Sequence, residues 1–158
     1  GYAYEAADAS FELLARRMLG NVPQFFDVES FRVMVERRHN AVGDLVTVSE
    51  ATVKVRIDGE TMLSVGEGNG PVNALDEALR VALTKHYPEL AGFELADYKV
   101  RILEGSHGTG AVTRVLVETR GRGTDWTTVG VHENVVEASW HALVDALSYG
   151  LAHTPVHS

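Results

Sequence analysis

The sequence contains no cysteine. Disulfides, thiolate nucleophiles and cysteine zinc sites are therefore all excluded, and the absence fits a cytoplasmic protein. Positive charge is scarce, with 14 Lys and Arg against 22 Asp and Glu and a formal net charge of −8. That balance argues against general nucleic-acid binding and against anionic membranes. No apolar run approaches the length of a membrane span. The opening Gly1-Tyr2-Ala3-Tyr4-Glu5 is neither a signal peptide nor an initiator methionine, so the chain reads as cut or processed from something longer. Catalytic constellations are missing too. No serine sits in a Gly-x-Ser-x-Gly elbow. The seven histidines show neither His-x-His nor His-Glu-x-x-His spacing, and scattered surface positions explain them. Asp97 and Tyr98 are neighbours on a strand, which sends them to opposite faces and makes them a poor acid–base pair.

What the chain does contain is a hydrophobic fraction of 45%, enough for the core of one domain, and one organising stretch. Gly66-Glu67-Gly68-Asn69-Gly70-Pro71-Val72-Asn73-Ala74-Leu75-Asp76 reads as a strand end, a glycine turn and a helix start. The glycines permit positive φ and close backbone approach, and Pro71 suits the first helical position. Val72, Leu75, Leu79 and Leu83 recur at helical spacing as a buried stripe, beside a small-residue stripe of Ala74, Ala78 and Ala82. A helix opened by glycines leaves N–H groups and a positive dipole end to face a cavity, which suits a carboxylate or a phosphate. The stretch is neither a phosphate-binding loop nor a dinucleotide fingerprint. On the pattern alone a tight turn that binds nothing is the better explanation.

Along the chain, residues 7–19 read as a helix with Phe11, Leu14, Ala15 and Met18 on one face, to be docked on this domain or on a missing neighbour, ended by Gly20 and Pro23. Residues 30–38 and 51–57 read as strands by alternation. Asp58-Gly59 marks a hairpin into a strand at 61–67 with Leu63 and Val65 inward, and the helix spans 71–86. A second set follows: a strand at 93–104 with Tyr98, Val100 and Ile102 on one face, a loop at 105–110, strands at 111–119 and 125–132, and a helix at 134–150. Trp126 and Trp140 read as core. The two sets form a repeat at an offset of 64 residues: Val65-Gly66 matches Val129-Gly130, and Val72, Ala74, Ala78, Leu79 and Leu83 match Val136, Ala138, Ala142, Leu143 and Leu147. The expected architecture is α+β, an N-terminal helix followed by two pseudo-twofold βββα units with helices packed on antiparallel sheets. In domain terms this gives a linker helix at 1–22, a domain at 23–152 with units at about 28–90 and 92–152, and a tail at 153–158. The alanine stripe and the open helix faces point to a second copy of the chain as cover.

Four segments resemble a known family. Tyr4-Glu5-Ala6-Ala7-Asp8-Ala9-Ser10-Phe11-Glu12-Leu13-Leu14, Gly68-Asn69-Gly70-Pro71-Val72-Asn73-Ala74-Leu75-Asp76, Asp97-Tyr98-Lys99-Val100-Arg101-Ile102 and Trp126-Thr127-Thr128-Val129-Gly130-Val131 look like the C-terminal part of citramalate synthase and its relative 2-isopropylmalate synthase. The run Asn134-Val135-Val136-Glu137-Ala138-Ser139-Trp140 adds to the likeness, which covers nearly the whole chain. The resemblance implies a regulatory domain, a homodimer of paired βββα units, that binds the end product of its pathway: isoleucine for citramalate synthase, leucine for 2-isopropylmalate synthase. It implies that condensation of acetyl-CoA with a 2-oxo acid belongs to a catalytic barrel with a divalent metal, absent from this chain, so the chain itself holds no cofactor and is no enzyme. By position, the effector residues it implies are Asn69, Gly70, Val72, Asn73 and Ala74, then Leu95, Tyr98, Ile102 and Val112, then Glu137, Ala138 and Ser139. The alternative is a dimerisation module that binds no effector. His132-Glu133-Asn134 stands where the first unit has Gly68-Asn69-Gly70, so the two helix-opening turns are not equivalent.

Overall fold

A computed structural model describes residues 8–20, 24–104, 110–121 and 123–153. The expected loop at 105–110 and the tail after His153 lie almost wholly outside them. Helix α1 (Asp8–Met18) comes first. Strands β1 (Asp27–His39), β2 (Leu45–Ile57) and β3 (Glu60–Gly68) and helix α2 (Pro71–Thr84) follow. After a 3-10 turn at Pro88–Gly92 come β4 (Glu94–Leu103), β5 (Val112–Arg120), β6 (Asp125–His132) and α3 (Val135–Ala152). Each set of three strands makes one antiparallel sheet, in the orders β1-β2-β3 and β4-β5-β6. The fold is therefore the α+β arrangement of two βββα units. They separate as Phe26–Pro88 and as Glu89–Ser158 joined by Gly1–Phe25.

In the 26–88 unit, β2 buries Ser49, Ala51, Val53, Val55 and Ile57 towards α2, by the alternation that a half-buried strand requires. It begins at Leu45, six residues before the run that the alternation alone defines, because the hairpin with β1 stays paired out to His39↔Leu45. Asn40 closes that hairpin: its side-chain carbonyl accepts from Val42 N at 3.1 Å and from Asp44 N at 2.9 Å. Asp58 (φ 49°) and Gly59 (φ 79°) are both left-handed, as a two-residue hairpin turn needs to match strand twist.

Strand β3 inverts the expected facing. Leu63 is 68% exposed and Val65 53%, while Ser64 and Gly66 are the buried positions. Close helix approach decides this. A Cβ on Gly66 would collide with Ala78 N and come within 2.7 Å of Ala74 O. Ser64 Oγ donates to Ala78 O at 2.5 Å. The alanine stripe of α2 is thus spent on its own sheet: Ala74, Ala78 and Ala82 are buried within the chain and are not a surface for a second copy.

The other unit repeats the device at the same offset. Thr128 Oγ1 donates to Ala142 O at 2.7 Å, and a Cβ on Gly130 would collide with Ala138 O and stand 2.9 Å from Ala142 N. Leu143 and Leu147 are buried as expected. Trp140 is core, and Trp126 is half-buried, its Nε1 donating to Ala146 O at 2.9 Å and its ring edge-on to Phe93 at 5.3 Å. Helix α1 packs on α3 and β6 through Ala9 and Leu13, not through the expected face: Phe11, Leu14 and Met18 are exposed. Polar pairing sets this docking. Ser10 Oγ accepts from Val129 N at 2.8 Å on the β6 edge, Arg17 reaches Asp145 at 3.1 Å and His153 reaches Glu12 at 2.9 Å.

Candidate functional site

The first candidate is the start of α2. β3 delivers the chain through Gly68, whose missing side chain lets the helix turn back tightly. A Cβ there would stand 2.6 Å from Asn73 Cβ and 2.7 Å from Ala74 N. Gly70 is the N-cap with φ −158° and ψ 175°, extended backbone that any residue adopts. Gly68 therefore serves close approach, and positive φ plays no part in this turn. No side chain caps α2, Pro71 occupies its first turn and no acidic residue lies there, so neither a cap nor a first-turn carboxylate of the helix itself offsets the positive end of its dipole. Asn69 is exposed and Asn73 half-buried beside it, whereas Val72 and Ala74 are buried beneath the helix.

The start of α3 is built oppositely. Asn134 Oδ1 accepts from Val136 N at 2.8 Å and from Glu137 N at 3.3 Å. Asn134 N donates to His132 Nδ1 at 3.0 Å, and Glu137 places a carboxylate in the first turn. A carboxamide and an acid already serve this terminus. Glu137 is half-buried and lies 3.6 Å from His141. Ala138 is pressed on Gly130, and Ser139 Oγ donates back to Val135 O at 2.7 Å.

On β4, Leu95 pairs with Thr119, Tyr98 with Val117 and Ile102 with Thr113. All three share the sheet face that α3 covers over β5 and β6, where Val115, Val117 and Thr119 are buried. The edge strand is not covered in this way: Val100 is 46% exposed and Ile102 67%. Val112 pairs with Leu103 and lies on the opposite face from Ile102. The structure thus groups Asn69, Gly70 and Asn73 at one turn and Leu95, Tyr98 and Ile102 along one strand, and it commits Val72, Ala74, Ala138 and Ser139 to packing.

A cleft of about 390 Å³, not foreseen from sequence, lies between α1, β6 and α3, lined by Arg17, Val131, Trp140, His141 and Asp145 among others. The readable signal was Asp145 itself, one carboxylate in the apolar run Ala142-Leu143-Val144-Asp145-Ala146-Leu147. Burial raises its pKa, against the opposing pull of Arg17 and the hydrogen bond from Ser10. Asp76 in α2 is raised in the same way by burial, opposed by Arg80 at 2.9 Å. Both carboxyls hold a proton more tightly folded than unfolded. Between the ordinary aspartate value of 3.8 and their raised folded values, the folded state binds the extra protons, so their contribution to stability falls as pH rises. In urea melts from about pH 7 to about pH 4, the wild type is expected to lose less stability than D76N/D145N. A wild type that loses more would contradict this. Among the described residues no three His, Asp or Glu side chains converge as metal ligands.

The chain matches the family described as LeuA allosteric (dimerisation) domain over residues 5–151. It is 56% identical over 157 residues to the (R)-citramalate synthase of Streptomyces coelicolor, covering 99% of this chain and 29% of that protein. It is 52% identical over 151 residues to the (R)-citramalate synthase of Synechocystis, covering 96% of this chain and 28% of that protein. A 2-isopropylmalate synthase of Methanocaldococcus jannaschii is 26% identical over 148 residues, covering 92% of this chain and 26% of that protein. The chain therefore spans less than a third of the length of the curated relatives it matches.

Proposed function

The chain belongs to the LeuA allosteric (dimerisation) domain family, and from that premise we propose that it is the feedback sensor of a citramalate-synthase-like acyltransferase. It acts as a homodimer, binds a branched-chain amino acid, isoleucine before leucine, and inhibits a catalytic barrel elsewhere in the parent protein. That barrel carries the divalent metal and the acetyl-CoA chemistry, and the whole works in the cytoplasm. No described helix is long and apolar enough to cross a membrane.

The observation that carries the reading is the contrast between the two helix starts. α3 is capped by its own Asn134, while α2 is opened by Gly68 and Gly70 with no side-chain cap. An amino-acid carboxylate is the group that α2 lacks, with Asn69 and Asn73 at hand to orient it. Leu95, Tyr98 and Ile102, which share one face of β4, are the candidates to receive an aliphatic tail, and Glu137 to hold the ammonium; Val112, on the other face, drops out of that set. The competing reading, a dimerisation module without effector, draws support from the packing roles of Val72, Ala74, Ala138 and Ser139.

Thermal melts separate the two. Ligand at a hundredfold excess over its dissociation constant adds about 2.7 kcal/mol to the folded state, which raises the melting temperature of a chain this size by about 5–11 °C. Gly70→Asn supplies α2 with the cap that α3 has. It is expected to stabilise the free chain by only about a few tenths of a kcal/mol and to shrink the shift with isoleucine. Equal and negligible shifts with isoleucine, leucine, valine and alanine would leave only the dimerisation module.

A further inference from the structure

Each sheet has a second face, turned away from its helix. In the β1–β3 sheet this outer face carries Met34, Glu50, Leu63 and Val65, alternating with the residues that α2 covers. Met34 is 59% exposed there, beside the exposed Leu63 and Val65. In the β4–β6 sheet the outer face carries Arg101, Arg114 and Val131, the last 50% exposed. Both faces thus show apolar side chains around a central charge, the makeup of a contact surface. The two central charges are opposite. Glu50 and Arg114 stand at the same place in the repeat, 64 residues apart, each on the middle strand of its sheet. Each lies directly across from a like charge, Glu50 from Glu67 and Arg114 from Arg101, which costs a sheet stability. Glu67 is relieved by Arg38 at 3.6 Å. Among the described residues Glu50, Arg101 and Arg114 form no ion pair.

We infer, resting on the homodimer reading above for a second copy as partner, that the outer face of the β1–β3 sheet in one copy stacks on the outer face of the β4–β6 sheet in another. Charge selects this pairing. Two β1–β3 faces would set Glu50 on Glu50, and two β4–β6 faces Arg114 on Arg114. Only unlike faces set a carboxylate on a guanidinium, and the like-charge alternatives act against wrong stacking. Stacked sheets lie about 10 Å apart with their strands nearly aligned. When β2 of one copy runs along β5 of the other, Glu50 meets Arg114. Facing sheets are mirrored side to side, so β1 then lies over β6 and β3 over β4. In the same row Met34 meets Val131, apolar on apolar, and Glu67 meets Arg101. The unpaired cations of one face thus gain the carboxylates that their own sheet does not supply. Each chain carries both faces, so a closed pair makes the contact twice.

Sedimentation equilibrium of the 158-residue chain over the micromolar range tests this by charge reversal. Glu50→Arg and Arg114→Glu are each expected to weaken self-association at least about tenfold. Circular dichroism should not change, because both side chains lie outside the helix-on-sheet cores. Equal mixing of the two variants should restore association to the wild-type constant. In the mixed pair the two substituted faces meet with unlike charges, and the two native faces meet each other. A contact within one chain could not be restored by mixing. Self-association untouched by either substitution, or folded variants that stay apart when mixed, overturns this interface and leaves the homodimer reading standing. A wild-type chain that is monomeric throughout overturns both.

Discussion

Replacing Gly130 by alanine is expected to cost the chain on the order of 3 kcal/mol or more, the upper end for overpacking a core. The added methyl would land on the Ala138 carbonyl and stand 2.9 Å from Ala142 N. Both are main-chain atoms of α3, so no side chain can swing aside. Relief requires the helix to lift from β6, which would also stretch the Thr128–Ala142 hydrogen bond of 2.7 Å. Gly66→Ala should act alike in the other unit, against Ala78 N and Ala74 O. Gly59→Ala is the contrast: its φ of 79° is strained for alanine, but no atom lies within 4 Å of the new methyl, so about 1–2 kcal/mol is expected. Urea unfolding midpoints rank the three. Gly130→Ala costing no more than Gly59→Ala would show that α3 does not rest on its strand as described.

The second large effect is expected from the leucines at the centre of each unit. Leu79 and Leu143 occupy equivalent positions of the repeat and are 0% and 1% exposed. Truncating either to alanine removes buried methyl groups and leaves a cavity, for a loss of about 2–5 kcal/mol. Each unit has its own helix-on-sheet core, so hydrogen exchange should show Leu79→Ala weakening mainly the amides of β1–β3 and α2, and Leu143→Ala those of β4–β6, α1 and α3. Uniform loss of protection across both units from either substitution would show one shared core instead.

The sequence announces these elements unevenly, and each failure has a physical cause. Alternation in β2 and the Asp58-Gly59 hairpin are local signals, and the structure contains both. The offset of 64 residues also proves structural, down to the paired hydroxyls of Ser64 and Thr128 on Ala78 and Ala142. Strand β3 misleads because its apolar residues, Leu63 and Val65, alternate with a serine and a glycine that α2 requires for close approach. Hydrophobicity votes for one face and helix packing takes the other. Helix α1 misleads because it is apolar on two sides, and the choice between them falls to Ser10, Arg17 and Glu12, whose partners lie more than a hundred residues away in sequence. At the start of α2 the residue types point to an anion site, but the role of the glycines is legible only in space: Gly70 is extended at φ −158°, and Gly68 is the one whose side chain would not fit.

Titration calorimetry of the chain with isoleucine, leucine and alanine tests the sensor reading most directly. A saturable isotherm is expected for isoleucine, a weaker one for leucine, none for alanine, and loss of the isoleucine heat in Gly70→Asn. A folded, dimeric chain that gives no saturable heat with either branched-chain amino acid, and no displacement between them, would contradict it.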